Sequence, residues 1–139
     1  MKKLLLSISL ICGFAQATPQ ISNATVRLPL PGKTVSAGYF SIDNPANDNV
    51  KLLNATSPQF ESIELHNHIN VDGMLRMVKV DEFEVPARTT IHLQPGGYHL
   101  MLFRPKSPLT PTSDIEIQLT WSDGSKTKVK PTITEIPKK

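Results

Sequence analysis

An antiparallel all-β body, a Greek-key sandwich or small barrel, is the fold class that the sequence predicts, and three observations carry the prediction. Turn signals recur every eight to twelve residues: Pro29-Leu30-Pro31-Gly32, Asn44-Pro45-Ala46-Asn47, Ser57-Pro58, Asp72-Gly73, Pro86, Pro95-Gly96-Gly97, 105–111 and Asp123-Gly124. Short runs rich in β-branched and apolar residues fill the intervals. No stretch competes with the apolar spacing of an amphipathic helix.

The elements follow in order. Met1-Lys2-Lys3, an apolar run over 4–15 and Ala15-Gln16-Ala17 form the pattern of a secretory signal peptide. The run is about twelve residues, short of the roughly twenty that a spanning helix needs. Cleavage is expected after Ala17, with residues 1–17 removed and 18–139 left as a single domain. The chain's one cysteine, Cys12, lies in the leader behind Ile11, where lipid modification wants a small residue. Candidate strands then cover 21–28, 35–42, 50–56, 60–68, 75–80, 89–93 and 98–103. The clearest run is 114–121, where Ile115, Ile117, Leu119 and Trp121 share one phase and Asp114, Glu116, Gln118 and Thr120 the other. The next run sets Thr127, Val129 and Ile133 opposite Lys126, Lys128 and Lys130, with Pro131 marking an edge or a strand end. Seven to nine short strands are expected.

Composition excludes several function classes. Without Lys2 and Lys3, thirteen basic residues face twelve acidic ones, a net +1 with no clustering beyond three lysines near the C-terminus. That is no footprint for nucleic acid, and no polybasic segment suits a membrane surface. Residues 18–139 contain no cysteine. Disulfides, thiol catalysis, thiolate zinc sites, iron–sulfur clusters and the thiolate of a blue-copper centre are therefore out of reach. No nucleophile–base pair or cofactor fingerprint speaks for an enzyme.

The remaining chemistry is concentrated. Four histidines and three methionines occur after the leader, and apart from His92 they fall at 66–77 and 99–101. Strand phase puts Ile63 and Leu65 on the core side and Glu64, His66 and His68 on the other. Met77 and Lys79 take the outward phase of the next strand, as do His99, Met101 and Phe103 later. Asp72-Gly73 suits a two-residue hairpin, in which residues 71 and 74 pair. His68 then faces Met77, and His66 lies diagonal to it, roughly 7–8 Å away. Two imidazoles and two thioethers without thiolate or carboxylate make a soft, neutral donor set that favours Cu(I) over zinc, calcium or magnesium. His68 is an alternate ligand or a neighbour that tunes the site. Met74 is read as a packing or exposed residue, His92 as plain surface and the lysine stripe at 126–130 as a solvated face.

The full pattern is His66, ten residues, Met77, twenty-one residues, His99, one residue, Met101, with the last pair inside Pro95-Gly96-Gly97-Tyr98-His99-Leu100-Met101. In this it resembles the periplasmic copper(I) chaperones of the PCuAC family, over nearly the whole chain after the leader. Ala37-Gly38-Tyr39-Phe40 leading to Asn44, and Glu64-Leu65-His66, are weaker likenesses. The resemblance implies a cupredoxin-like β-sandwich that holds one Cu(I) at His66, Met77, His99 and Met101. It also implies a carrier in the periplasm that hands the ion to an acceptor protein, an oxidase subunit or another copper chaperone, in known relatives toward the copper centre of a haem–copper oxidase. A monomer is expected. The sequence departs from many relatives at His68, where they carry methionine. It also lacks the Met- and His-rich C-terminal extension of some members, which argues against a Cu(II) site. Two other readings stay open: copper storage or tolerance at the same site, and a β-sandwich interaction module without metal.

Overall fold

The computed structural model describes residues 17–136, and within them the chain is all β with no α-helix. Residues 1–16, all but the last residue of the expected leader, and the last three residues lie outside the described residues. Eleven strands form two sheets: β1 (Gln20–Arg27), β2 (Val35–Asn44), β3 (Val50–Thr56), β4 (Phe60–Val71), β5 (Met74–Val80), β6 (Phe83–Val85), β7 (Thr89–His92), β8 (His99–Pro105), β9 (Ile117–Trp121), β10 (Lys126–Val129) and β11 (Thr132–Thr134). One sheet has seven strands in the order β11-β1-β2-β8-β4-β5, with β7 also paired to β2; the other has four, in the order β10-β9-β3-β6. Neighbours distant in sequence, such as β2–β8 and β8–β4, are the crossed connections of a sandwich rather than a simple meander.

The two sheets close on one apolar core. Period-two alternation in β9 puts Ile117, Leu119 and Trp121 inside, and Ile115 keeps the phase before the strand's first ladder bond. The Trp121 indole N–H still finds an acceptor, donating to Thr127 Oγ1 at 2.9 Å. From the seven-stranded sheet come Val26, Phe40, Ile42, Ile63, Leu65, Leu100 and Leu102. Gly38 stands opposite Leu100, and a Cβ there would come within 3.2 Å of Leu102 Cδ1, so the absence of a side chain lets β2 and β8 approach under the site.

Asn44 is the core's polar clamp. It has no exposed surface, yet its side-chain amide donates to the carbonyls of Asp48 at 2.9 Å, Val85 at 3.1 Å and Pro86 at 3.2 Å, while its Oδ1 accepts from the Ala46 N–H. It thereby ties the end of β2 to the β6–β7 connection.

Three details differ from the sequence reading. Strand β6 is added: Phe83 and Val85 are fully buried and pair with β3, but three residues before a proline are too few for periodicity to register. The run 126–133 is two strands. It breaks at Pro131, which has no N–H to continue a ladder, and the chain passes there from the edge of the small sheet to the edge of the large one. There β11 pairs with β1 in parallel, an exception to the antiparallel expectation. The lysine stripe is exposed but not unpaired, since Lys128 lies 3.4 Å from Glu116 and Lys130 3.6 Å from Asp114.

Candidate metal centre

The outer face of the large sheet carries the histidines and methionines, and two turns set their register. Asp72 and Gly73 both have positive φ, +51° and +79°, as a type I′ hairpin demands, and Asn70 Oδ1 accepts from the Gly73 N–H at 2.8 Å. The ladder follows as expected: His68 opposite Met77, His66 opposite Lys79. The second turn, at 94–98, closes with the Gln94 N–H donating to the Tyr98 carbonyl at 2.9 Å, and Gly96 takes φ +83° there. Tyr98 packs inward on Phe83, with ring centroids 4.6 Å apart. Alternation then turns His99 outward, directly across from His66 in the β4–β8 ladder.

The described geometry centres on His99. Its Nε2 lies 3.3 Å from Met77 Sδ, and its Nδ1 is 3.0 Å from the Gly97 carbonyl oxygen. A carbonyl only accepts, so Nδ1 carries the proton of the neutral ring and Nε2 presents its lone pair to the sulfur. Two lone pairs facing each other gain nothing by themselves; a soft cation shared between them is the arrangement they suit. Burial, chiefly, holds the His99 pKa below its usual value, with repulsion from His68 and His66 adding to it against the opposing pull of the Gly97 carbonyl. The ring is thus kept in the form that can bind a metal.

The other imidazoles crowd the same spot. Ring centroids of His66 and His68 lie 5.8 and 5.1 Å from that of His99, and Tyr39 flanks it at 6.4 Å. His66 Nε2 is 2.8 Å from Glu64 Oε2, and Lys79 Nζ is 3.2 Å from Glu64 Oε1. The His66 hydrogen bond first, and the Lys79 ammonium with it, hold the Glu64 carboxyl below its usual range. The Nδ1 atoms of both His66 and His68 are buried with no hydrogen-bond partner. Buried polar atoms are rarely left so. Together with the His99–Met77 contact, they make this face a fit for a metal ion.

Each residue singled out from sequence can now be located. His66, Met77 and His99 converge. Met101 lies on the same face two residues along β8, cross-strand from Glu64 and Ala37, and lines a cleft of about 460 Å³ together with Leu28, Leu30 and Ala37. Met74 is exposed beside the hairpin turn, and His92 is an exposed residue whose Nδ1 is 2.7 Å from Ser41 Oγ. Among the described residues no three His, Cys, Asp or Glu side chains are placed so that they alone could hold a metal ion.

Depth is where the sequence reading needs correction. The outward phase by itself implies solvent-facing imidazoles, but His66 is only 8% exposed and His99 3%, while Met77 is 48% exposed. Phase fixes the face of a sheet, not the cover on it. Tyr39, His66 and His68 crowd the His99 ring in tilted arrangements, and Met77 Sδ lies against its Nε2. Tyr39 is itself overlaid by the Arg27 guanidinium, 5.5 Å from its ring centroid. Tyr39, Lys79 and the Gly97 carbonyl were not picked out as site groups. The Gly97 carbonyl reaches His99 through the local turn, whereas the place of Tyr39 and Lys79 beside the site depends on the strand order.

Comparison with known proteins agrees with this architecture. A family model described as "Putative lipoprotein LpqE-like" matches residues 19–133. The Putative lipoprotein Lxx21020 of Leifsonia xyli subsp. xyli is 34% identical over 111 residues, 79% of this chain and 66% of that protein. Uncharacterized protein RP573 of Rickettsia prowazekii is 34% identical over 91 residues, 65% of this chain and 50% of that one. The chain thus spans between half and about two thirds of the length of these curated relatives. Among solved structures, the Cu(I) form of DR1885 from Deinococcus radiodurans superimposes with a TM-score of 0.67 at 32% identity, covering 81% of this chain and 75% of that one. The copper-bound PCuAC domain from PmoF2 gives a TM-score of 0.72 at 20% identity, over 88% and 97% of the two chains, a likeness of fold. The sandwich is therefore cupredoxin-like, and the chain belongs to the LpqE-like family, of PCuAC type.

Proposed function

We propose that this protein is an exported copper chaperone that holds one Cu(I) through His66, Met77, His99 and Met101 and releases it to a copper-enzyme acceptor in the periplasm. One observation carries the proposal: Nε2 of His99, the nitrogen left free by the Gly97 hydrogen bond, lies 3.3 Å from the Met77 sulfur across the intervening strand β4. Thioethers favour the cuprous ion, and the neutral donor set leaves the loaded site with a single positive charge. The Cu(I) form of a relative at 32% identity supports the oxidation state, and the lipoprotein descriptions of the family and of the Leifsonia relative support export.

The layering suits transfer. Met77 is the exposed donor and the imidazoles lie beneath it, so an incoming acceptor ligand meets the thioether first. Displacing one flexible thioether while two anchored imidazoles keep the ion permits stepwise ligand exchange without releasing free copper. We read the acceptor as the copper centre of a haem–copper oxidase or a second chaperone on the way to it.

An anaerobic titration against a Cu(I) chelator tests the reading. One equivalent should be taken up, with little affinity for Zn(II), and a copper-edge X-ray absorption spectrum of the loaded protein should count both nitrogen and sulfur neighbours. Absence of uptake overturns the carrier reading. Storage at the same site is separated from delivery by mixing loaded protein with an apo acceptor domain, since a store retains its copper. An intact mass beginning at Thr18 supports release after Ala17, and a lipid adduct on Cys12 overturns it.

A further inference from the structure

We propose that Glu64, braced by Lys79, selects the tautomer of His66, so that this ring offers Nδ1 to the metal whereas His99 offers Nε2. The inference rests on the copper reading above and adds to it a positioning residue and the identity of the ligating atoms.

The two imidazoles stand directly opposite each other on neighbouring strands, yet their hydrogen bonds are inverted. His99 donates from Nδ1 to the Gly97 carbonyl at 3.0 Å, which frees Nε2. His66 is held at its other nitrogen, with Nε2 2.8 Å from Glu64 Oε2. An ionised carboxylate is acceptor-only, so Nε2 carries the proton and the lone pair of the neutral ring sits on Nδ1. That Nδ1 is the atom left buried without a partner.

Lys79 makes the selection firm. Glu64 lies two residues before His66 on the same face, and Lys79 is the cross-strand partner of His66, so its Nζ reaches Glu64 Oε1 at 3.2 Å. One carboxylate oxygen is thus occupied by the ammonium and the other by the imidazole. Partners of this kind orient metal-ligating histidines, and their loss commonly costs about 10–100-fold in metal affinity.

The test is long-range ¹H–¹⁵N correlation spectroscopy of the labelled protein, apo and loaded with diamagnetic Cu(I). Apo His66 should give the Nε2–H tautomer pattern and His99 the Nδ1–H pattern. Copper should then shift Nδ1 of His66 and Nε2 of His99. Glu64→Ala should leave His66 in mixed tautomers, with His99 unchanged, and weaken Cu(I) about 10–100-fold. Glu64→Gln, which keeps an acceptor oxygen, should recover most of the tautomer preference and of the affinity. An unchanged thermal midpoint in both variants keeps a folding defect out of the comparison. An Nδ1–H pattern at His66 in the apo protein, a copper shift at its Nε2, or unchanged tautomers and affinity in Glu64→Ala overturns the inference while leaving the carrier reading intact. Failure of the parent protein to take up copper overturns the carrier reading, and the apo tautomer patterns then decide the role of Glu64 separately.

Discussion

The two faces of the β4–β8 pair are made by alternate residues of the same strands, and at His66 and His99 the outer face is as buried as the inner one, yet they are built on opposite terms. On the inner face Leu65 meets Leu100 and Ile63 meets Leu102, all at or below 9% exposure. On the outer face His66 meets His99 and Glu64 meets Met101. The inner face is complete, because apolar side chains packed together have no bonding capacity left over. The outer face is not, because the Nδ1 atoms of His66 and His68 lack partners and His99 Nε2 faces a sulfur. Asn44 sharpens the contrast. It is a buried polar residue of the same sheet whose amide is satisfied by backbone carbonyls. Burial with full satisfaction marks structure, and burial with unmet lone pairs marks a place prepared for something else.

Damage to the inner face should register as stability. Leu100→Ala removes a fully buried side chain between the sheets and should cost about 2–5 kcal/mol in chemical denaturation. Asn44→Ala leaves the Val85, Pro86 and Asp48 carbonyls short of a donor and should cost about 1–3 kcal/mol. Damage to the outer face should register as affinity instead. Met77→Leu with Met101→Leu nearly conserves volume and should change stability by less than about 1.5 kcal/mol. The doubly substituted protein should nevertheless lose Cu(I) affinity far more than Cu(II) affinity in parallel competition titrations, because only the soft thioether has been removed. A double variant that holds Cu(I) as well as the parent would erase the distinction between the faces.

What was legible beforehand follows the same division. The Asp72-Gly73 turn fixes a pairing register outright, and that register alone brings His68 to Met77. Alternation identified the inner face of β9 to the residue. Burial of the histidines was illegible, because cover over a sheet face comes from Tyr39 on β2 and Met77 on β5, and their adjacency depends on strand order. The Glu64–Lys79 brace was hidden for a related reason, since an ion pair needs reach as well as phase. Strand β6 fell below the length at which periodicity carries information, and Pro131 reads equally well as a strand end and as a passage between sheets.

Acid offers a comparison within the outer face. Burial lowers the folded-state pKa of His99 beneath its unfolded value near 6.5, so the unfolded chain binds more protons between those two values. The apo protein should therefore hold its full stability above about pH 6.5 and lose it progressively as the pH falls through the folded pKa of His99. The slope from this one residue cannot exceed about 1.4 kcal/mol per pH unit. His99→Gln should flatten that limb of the profile. Copper release should follow the same order. A buried, neutral His99 keeps its lone pair below pH 6.5, so half-release in an acid titration of the loaded protein should fall beneath that value. Release centred at or above it would mean that protonation of the buried His99 does not set the loss of copper.

The smallest expected difference separates His66 from His68. Both have a buried, unpartnered Nδ1, and His68 has the shorter approach to the His99 ring, 5.1 Å against 5.8 Å, besides facing Met77 directly. Proximity alone would favour His68. Orientation favours His66, which Glu64 grips at Nε2, whereas no hydrogen bond fixes the tautomer of His68 at its Nδ1. A ligand that must be ordered on binding returns less affinity than one already held. His68→Ala should accordingly weaken Cu(I) by less than His66→Ala in the same chelator competition. If the ranking reverses, nearness to the sulfur outweighs the grip of the carboxylate, and the ligand in β4 is the residue that the hairpin register sets against Met77.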